Sequence, residues 1–147
     1  MLKSNQYIDK TALRFIVVIL MLFFFQGCGI YTVPRALNPP FGQQRDGNNY
    51  LKFSGDNTET YFSGYVLWYK GVDDTDYQVC EYQGNPPNKP TISKDEITGM
   101  PITIYFTELG HQEESRTFKE LLEDGYEFEF AVSSYGDKGE ESEKVKF

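Results

Sequence analysis

The sequence predicts an all-β domain, an antiparallel sandwich, that follows an N-terminal targeting segment. An apolar run follows a basic stretch at the N-terminus, and beyond residue 48 apolar and polar residues alternate with period two. Short clusters of Gly, Asp, Asn and Pro separate the alternating segments, as expected for turns. The 147 residues allow one ordinary domain, and 39% hydrophobic residues with 16% aromatics are enough to build a core.

Composition excludes several classes of function. A net charge of -8 argues against nucleic acid, because binding phosphates requires a surplus of Lys and Arg. One His and two Cys provide neither a set of zinc ligands nor a disulfide framework. We therefore expect no nucleic-acid partner, no metal and no other bound cofactor.

The N-terminal segment has the layout of a secretory signal peptide. Three basic residues and one acidic residue precede an unbroken apolar run at residues 15–25. Eleven residues rise only about 16 Å as a helix, half of the ~30 Å hydrocarbon core, so a membrane span is disfavoured. The run ends at Gln26-Gly27-Cys28, which resembles a bacterial lipobox. The alternative is an uncleaved anchor with an incidental Cys.

The lipobox resemblance implies a lipoprotein. Residues 1–27 would be removed, and Cys28 would carry diacylglycerol and acyl chains as the only covalent addition. The mature chain would keep 11 basic and 21 acidic residues, a net charge of -10. Such an acidic body is repelled by anionic headgroups, so the lipid would hold it on the membrane. Residue 29 is Gly rather than the Asp of the inner-membrane retention signal, which favours the outer membrane but specifies no leaflet.

Lipidation of Cys28 would leave Cys80 without an intramolecular partner. An unpaired Cys in a secreted chain is either a reactive thiol or a small buried hydrophobe. Cys80 lies within an alternating, strand-like segment, Tyr77–Gln83, so we expect it to be buried.

A tether and six predicted strands follow the lipidation site. Residues 28–48 are rich in Pro and Gly and predict a tether, with a short first strand within residues 36–41. The sandwich is expected over residues 49–147. In chain order, its strands are Tyr50–Phe53, Tyr61–Lys70, Tyr77–Gln83, Pro101–Phe106, Tyr126–Tyr135 and a last strand ending at Val145–Phe147. Residues 85–90 form a proline-rich loop, and residues 117–123 a helical turn.

Two stretches resemble a fibronectin type III domain. Ser63–Tyr69 is similar to the family's third strand, where aromatic and aliphatic residues alternate after a Gly. Leu122–Val132 resembles the family's entry into the sixth strand, and Gly139–Glu143 the turn into the seventh. The resemblance implies an immunoglobulin-like antiparallel sandwich. Phe128 replaces the family's corner Tyr, and residues 84–120 are longer than the usual connection.

Period-two alternation assigns the two faces of the long strands. The inward set is expected to be Tyr65, Leu67, Tyr69, Phe128, Phe130 and Val132. The outward set then includes Val66, Trp68, Ala131 and Tyr135, which we consider as a candidate binding face because Trp and Tyr serve as interface anchors. The alternatives are that this face has no partner, or that the 84–120 insertion covers it.

The chain offers few groups for catalysis. His111 lies in a polar segment and has no nucleophile motif such as Gly-x-Ser-x-Gly beside it, so we expect a solvated side chain. Asp73, Asp74 and Asp76 could offer oxygens to Ca²⁺, but three carboxylates fall short of six to eight ligands and Asp is common in turns.

The sequence favours a lipid-anchored envelope protein that displays one non-catalytic binding module. The expected partner of this module is another protein. The alternative is a structural spacer or assembly subunit of the envelope without its own ligand. An enzyme is disfavoured. A spacer should present a uniformly charged surface, whereas a binding module should concentrate apolar side chains on one exposed face.

Overall fold

The computed structural model describes residues 35–147, which form one compact unit. The predicted signal peptide, residues 1–27, and the lipidation site Cys28 lie outside the described residues. The strands are β1 Phe41–Asp46, β2 Tyr50–Ser54, β3 Phe62–Gly71, β4 Gln78–Val79, β5 Glu81–Tyr82, β6 Ile92–Ser93, β7 Ile102–Tyr105, β8 Leu109–Gly110, β9 Phe128–Gly136 and β10 Val145–Lys146. Within residues 35–147, one α-helix, α1 Phe118–Glu123, interrupts them.

The prediction of an all-β, antiparallel architecture is confirmed. One sheet has the strand order β1-β2-β7, and a second has the order β10-β9-β3-β4, with β6 also pairing with β3. A two-stranded sheet joins β5 to β8. All the strand pairs are antiparallel, and β3 pairs with β9 along nearly its whole length. No helix in the described part of the chain is long and apolar enough to cross a membrane.

The first strand begins later than the sequence indicates. We expected it within residues 36–41, but β1 runs from Phe41 to Asp46 and pairs with β2. Pro39 and Pro40 explain the difference, because proline has no N–H to donate to a ladder and restricts the residue before it. Residues 35–40 are nevertheless tied to the domain, since Leu37 and Pro40 are buried.

Both larger sheets contribute to one hydrophobic core. Leu51, Phe53 and Ile104 from the first sheet belong to the same buried cluster as residues of β3 and β9. The predicted inward set is confirmed: Tyr65, Leu67, Tyr69, Phe130 and Val132 are buried, and the half-buried Phe128 packs against them.

The segment 84–120 contributes to the fold rather than forming a separate insertion. It supplies β6, β7 and β8 and leads into α1. The helical turn expected at residues 117–123 is confirmed, and Thr117 begins it as an N-cap whose side chain accepts a hydrogen bond from the Glu120 N–H. Phe118 and Leu121 of this helix are fully buried.

Cys80 is buried between β4 and β5, as predicted. Its backbone N–H donates to the Leu67 carbonyl at 2.9 Å, which holds the residue against β3. Burial raises the pKa of the thiol well above its ordinary value. Cys80 therefore acts as a small core side chain and not as a reactive thiol.

Candidate functional site

The candidate face on β3 and β9 is not exposed. Val66, Trp68, Ala131 and Tyr135 do lie together, as the alternation predicted, and form a second hydrophobic cluster. However, Val66 and Ala131 are fully buried, Tyr135 is half-buried, and Trp68 retains only 6% of its surface. The expectation that these four residues share an exposed surface is wrong.

Two lysines and a glutamate cover this cluster. Lys89 Nζ lies 4.2 Å from the centre of the Trp68 ring, and Lys144 Nζ lies 4.1 Å from it. The Glu141 carboxylate forms ion pairs with both lysines, with its oxygens 3.1 Å from Lys89 Nζ and 3.3 Å from Lys144 Nζ. The indole N–H of Trp68 donates to Ser133 Oγ at 2.8 Å, and that hydroxyl donates to Glu141 at 3.0 Å.

The cover has a clear origin in the chain. Lys89 comes from the proline-rich loop of the 84–120 segment, the alternative cover that the sequence predicts. Lys144 and Glu141 come from the connection between β9 and β10. Since long lysine stems cover apolar surface while their ammonium groups stay in water, a charged loop can close a hydrophobic face.

Within residues 35–147, five large apolar residues are exposed instead, and two of them, Val72 and Tyr126, line the same surface depressions; the other three are Phe41, Met100 and Tyr105. Val72 is 66% exposed in the turn after β3, and Tyr126 is 50% exposed in the segment before β9. The Tyr126 ring lies nearly parallel to that of the half-buried Phe128, at 14° and 6.5 Å between centroids. We call Val72, Tyr126 and Phe128 the ridge.

The ridge separates two surface depressions, because its three residues and Glu127 line both of them. On one side lies a groove of about 540 Å³ that also contains Arg45. On the other side lies a hollow of about 460 Å³, the acidic hollow. Its lining consists of the ridge together with Gly71, Asp73, Asp74 and Glu127.

Arg45 of β1 lies next to the ridge, because it lines the groove together with Val72, Tyr126 and Phe128. It pairs with the core residue Leu51, so its side chain points inward from the edge strand β1. The guanidinium lies 5.2 Å from the ring centre of Phe130 and donates to the carbonyl oxygens of Gly47, at 3.1 Å, and Phe128, at 3.0 Å. Partial burial lowers the pKa of Arg45, which remains charged.

The acidic hollow holds three carboxylates. Asp73, Asp74 and Glu127 are all exposed. Asp74 Oδ2 accepts the Gly71 N–H at 2.9 Å, which fixes the turn after β3. Asp73 and Glu127 make neither an ion pair nor a side-chain hydrogen bond within residues 35–147. The hollow therefore carries negative charge that the described part of the chain does not balance.

The acidic groups do not form a metal centre. In residues 35–147, no group of three or more His, Cys, Asp or Glu side chains lies in an arrangement that could hold a metal ion. His111, expected to be solvated, is half-buried beside aromatic rings, 4.9 Å from Tyr69 and 5.7 Å from Phe128 between centroids. Its Nδ1 accepts the Glu113 N–H at 3.2 Å, so the ring helps to order its loop.

Sequence reasoning missed the ridge, although one signal was present. Val72 is the only apolar residue in the polar turn Gly71-Val72-Asp73-Asp74-Thr75-Asp76. A large apolar residue in a solvated turn is a candidate contact residue.

Comparison of the chain with protein-family models, curated proteins and solved structures finds no match.

Proposed function

We propose that this protein is a lipid-anchored envelope protein that displays a single, non-catalytic fibronectin type III-like module, and that the ridge is the module's binding surface. The observation that carries the proposal is the exposure of Val72 and Tyr126, which lie together between two depressions. Apolar side chains that share an exposed surface can mark an interaction site.

The strand order supports the fibronectin type III-like fold. The sixth strand of that family pairs with the third and with the seventh, and here β9 lies between β3 and β10. Strands β1, β2 and β7 form the other large sheet, and both large sheets share one core. Two sheets with a shared core and this strand order support the proposal of a two-sheet sandwich.

The lipid anchor rests on the short apolar run that ends at Gly27-Cys28. Mass spectrometry of the protein from its native membrane should give an N-terminal Cys28 with attached acyl chains. A Cys28→Ser variant should lose the acyl mass and leave the membrane fraction, whereas Cys80→Ser should keep both properties. An intact Met1 with an unmodified Cys28 would refute this part of the proposal.

The ridge can be tested by site-specific photo-crosslinking in living cells. A benzophenone amino acid at position 126 should give a discrete adduct, and the same probe at position 105 should not. Tyr105 is a matched control, since it is 53% exposed but lies on β7, away from the ridge depressions.

A second change ties the adduct to the ridge. Val72→Ser should remove the adduct at position 126 while the circular dichroism spectrum stays the same. Equal labelling at positions 105 and 126, or none at either, would favour the structural spacer over the binding module.

A further inference from the structure

We infer that the ridge binds a basic segment of a partner protein, with an arginine or lysine side chain of that partner seated in the acidic hollow. This inference rests on the proposed function, because it names the partner's chemistry at the same surface. The acidic hollow requires a cationic group that can contact carboxylates and aromatic rings at the same time.

Charge complementarity is the first argument. The hollow is lined by three carboxylates and by no basic side chain. Two acids outside the hollow are paired: Glu123 with Lys119 at 3.1 Å, and Glu129 with Lys146 at 2.9 Å. Asp73 and Glu127 have no such partner within residues 35–147. A cation in the hollow would balance this negative charge, and desolvation by the ridge would strengthen the attraction.

The aromatic rings give the second argument. Tyr126 and Phe128 line the same hollow as the carboxylates. A guanidinium or ammonium group near an aromatic face is attracted by the ring quadrupole, while its methylene stem can lie along an apolar side chain such as Val72. Arginine suits the site better than lysine, because its planar fork can meet a carboxylate and stack on a ring together.

Other ligands fit less well. An anion would face three carboxylates, and the nearby Arg45 lies on the far side of the ridge, where it lines the other depression and donates to two backbone carbonyls. A metal ion would need converging ligands, and residues 35–147 offer no such group. One oxygen of Asp74 is already engaged by the Gly71 N–H. A cationic side chain needs no fixed coordination geometry.

The test uses the isotope-labelled, full-length chain in a mild non-ionic detergent. It is titrated with the capped peptide Ala-Arg-Ala-Arg-Ala, and with the same peptide carrying citrulline, the neutral isostere of arginine. Saturable amide shifts are expected for residues 71–74 and 126–128 with the arginine peptide only. The paired change Asp73→Asn/Glu127→Gln should weaken binding about five- to tenfold. Raising the salt from 0.05 to 0.5 M should weaken it as well.

Matched controls separate this site from general acidity. Glu113→Gln/Glu114→Gln removes two exposed acids from a loop outside the hollow and should leave the affinity unchanged. The inference would be overturned if both double substitutions weakened binding of the arginine peptide equally, or if the citrulline peptide bound as tightly as the arginine peptide. If the adduct at position 126 survives in the Asp73→Asn/Glu127→Gln chain, the ridge binds a partner whose recognition is not cationic. If Val72→Ser leaves that adduct intact, the proposed function itself fails.

Discussion

Replacement of Trp68 by alanine tests whether the covered face holds the domain together. Trp68 is the only Trp in the chain, and 94% of its surface is buried, since 6% remains exposed. Its ring packs with Val66 and Ala131, its N–H reaches Ser133, and Lys89 lies over the indole. The substitution removes all of these contacts at once.

The expected cost is large compared with the stability of a domain. Truncating a buried Trp to Ala costs about 3–5 kcal/mol, and a typical domain has about 5–15 kcal/mol in total. The lost hydrogen bond to Ser133 accounts for about 1 kcal/mol, and each half-exposed lysine above the ring adds about 0.5–1 kcal/mol. The remainder comes from the cavity and lost apolar contact. Trp68→Phe keeps a ring and should cost about 1–3 kcal/mol.

The free energy of unfolding should be measured by urea titration of the full-length chain, followed by far-ultraviolet circular dichroism because the variants lack the fluorescent Trp. Tyr126→Ser is the control, since an exposed substitution should change stability by less than about 0.5 kcal/mol. A loss below about 1 kcal/mol in Trp68→Ala would show that Lys89, Lys144 and Glu141 cover the ring without packing on it. It would return this face to consideration as a binding surface.

Three further outcomes are expected. Cys80 should resist a thiol reagent in the native protein and react only after denaturation, as peptide mapping would show, and fast native labelling would contradict its burial. Tyr77→Phe should raise the pKa of Glu129 from about 2 towards its ordinary 4.5 in a carboxyl NMR titration, because the Tyr77 hydroxyl bond is the main cause that lowers the pKa. Because folding lowers the pKa of Glu129, the stability that its charged form contributes is present above pH 4.5 and is lost as the pH falls towards 2. An unchanged pKa of Glu129 in the Tyr77→Phe variant would refute the role of the Tyr77 hydroxyl. Thr117→Ala should cost about 1 kcal/mol in urea unfolding, because it removes the N-cap of α1, and a neutral result would contradict the capping role.

The long strands and the core could be predicted because alternation is a local signal. The predicted strand Tyr77–Gln83 is instead divided into β4 and β5, which belong to different sheets, and the two-residue strands β6 and β8 were not predicted because they are too short to show alternation. β3 and β9 are long, rich in aromatic and β-branched residues, and bounded by turns, so the inward positions Tyr65, Leu67 and Val132 follow from parity alone. The helical turn could be predicted for a similar reason, since Thr117 and Glu120 have capping-box spacing. β1 begins later than expected because Pro39 and Pro40 come directly before it.

Parity identifies which residues share a face, but it does not say what lies over that face. Trp68 and Ala131 were placed together correctly, yet their cover comes from Lys89, 21 positions from Trp68, and from Lys144, 13 positions from Ala131. Such contacts depend on the path of two loops, which no period in the sequence encodes. For the same reason the sequence did not show that Val72 and Tyr126 line the same depressions, because turn positions carry no periodic signal.

The two surfaces of this domain differ in how their charges are used. Over Trp68, Glu141 and two lysines neutralise one another and close the face, so a partner would have to break three internal contacts to reach the ring. Around Tyr126 the acids of the hollow are left unpaired within the described residues, and the ring stays in water. A partner therefore gains contact at the ridge without first displacing part of the domain. Because binding free energy is what remains after such costs, we expect a partner to bind at the ridge rather than at the covered face over Trp68.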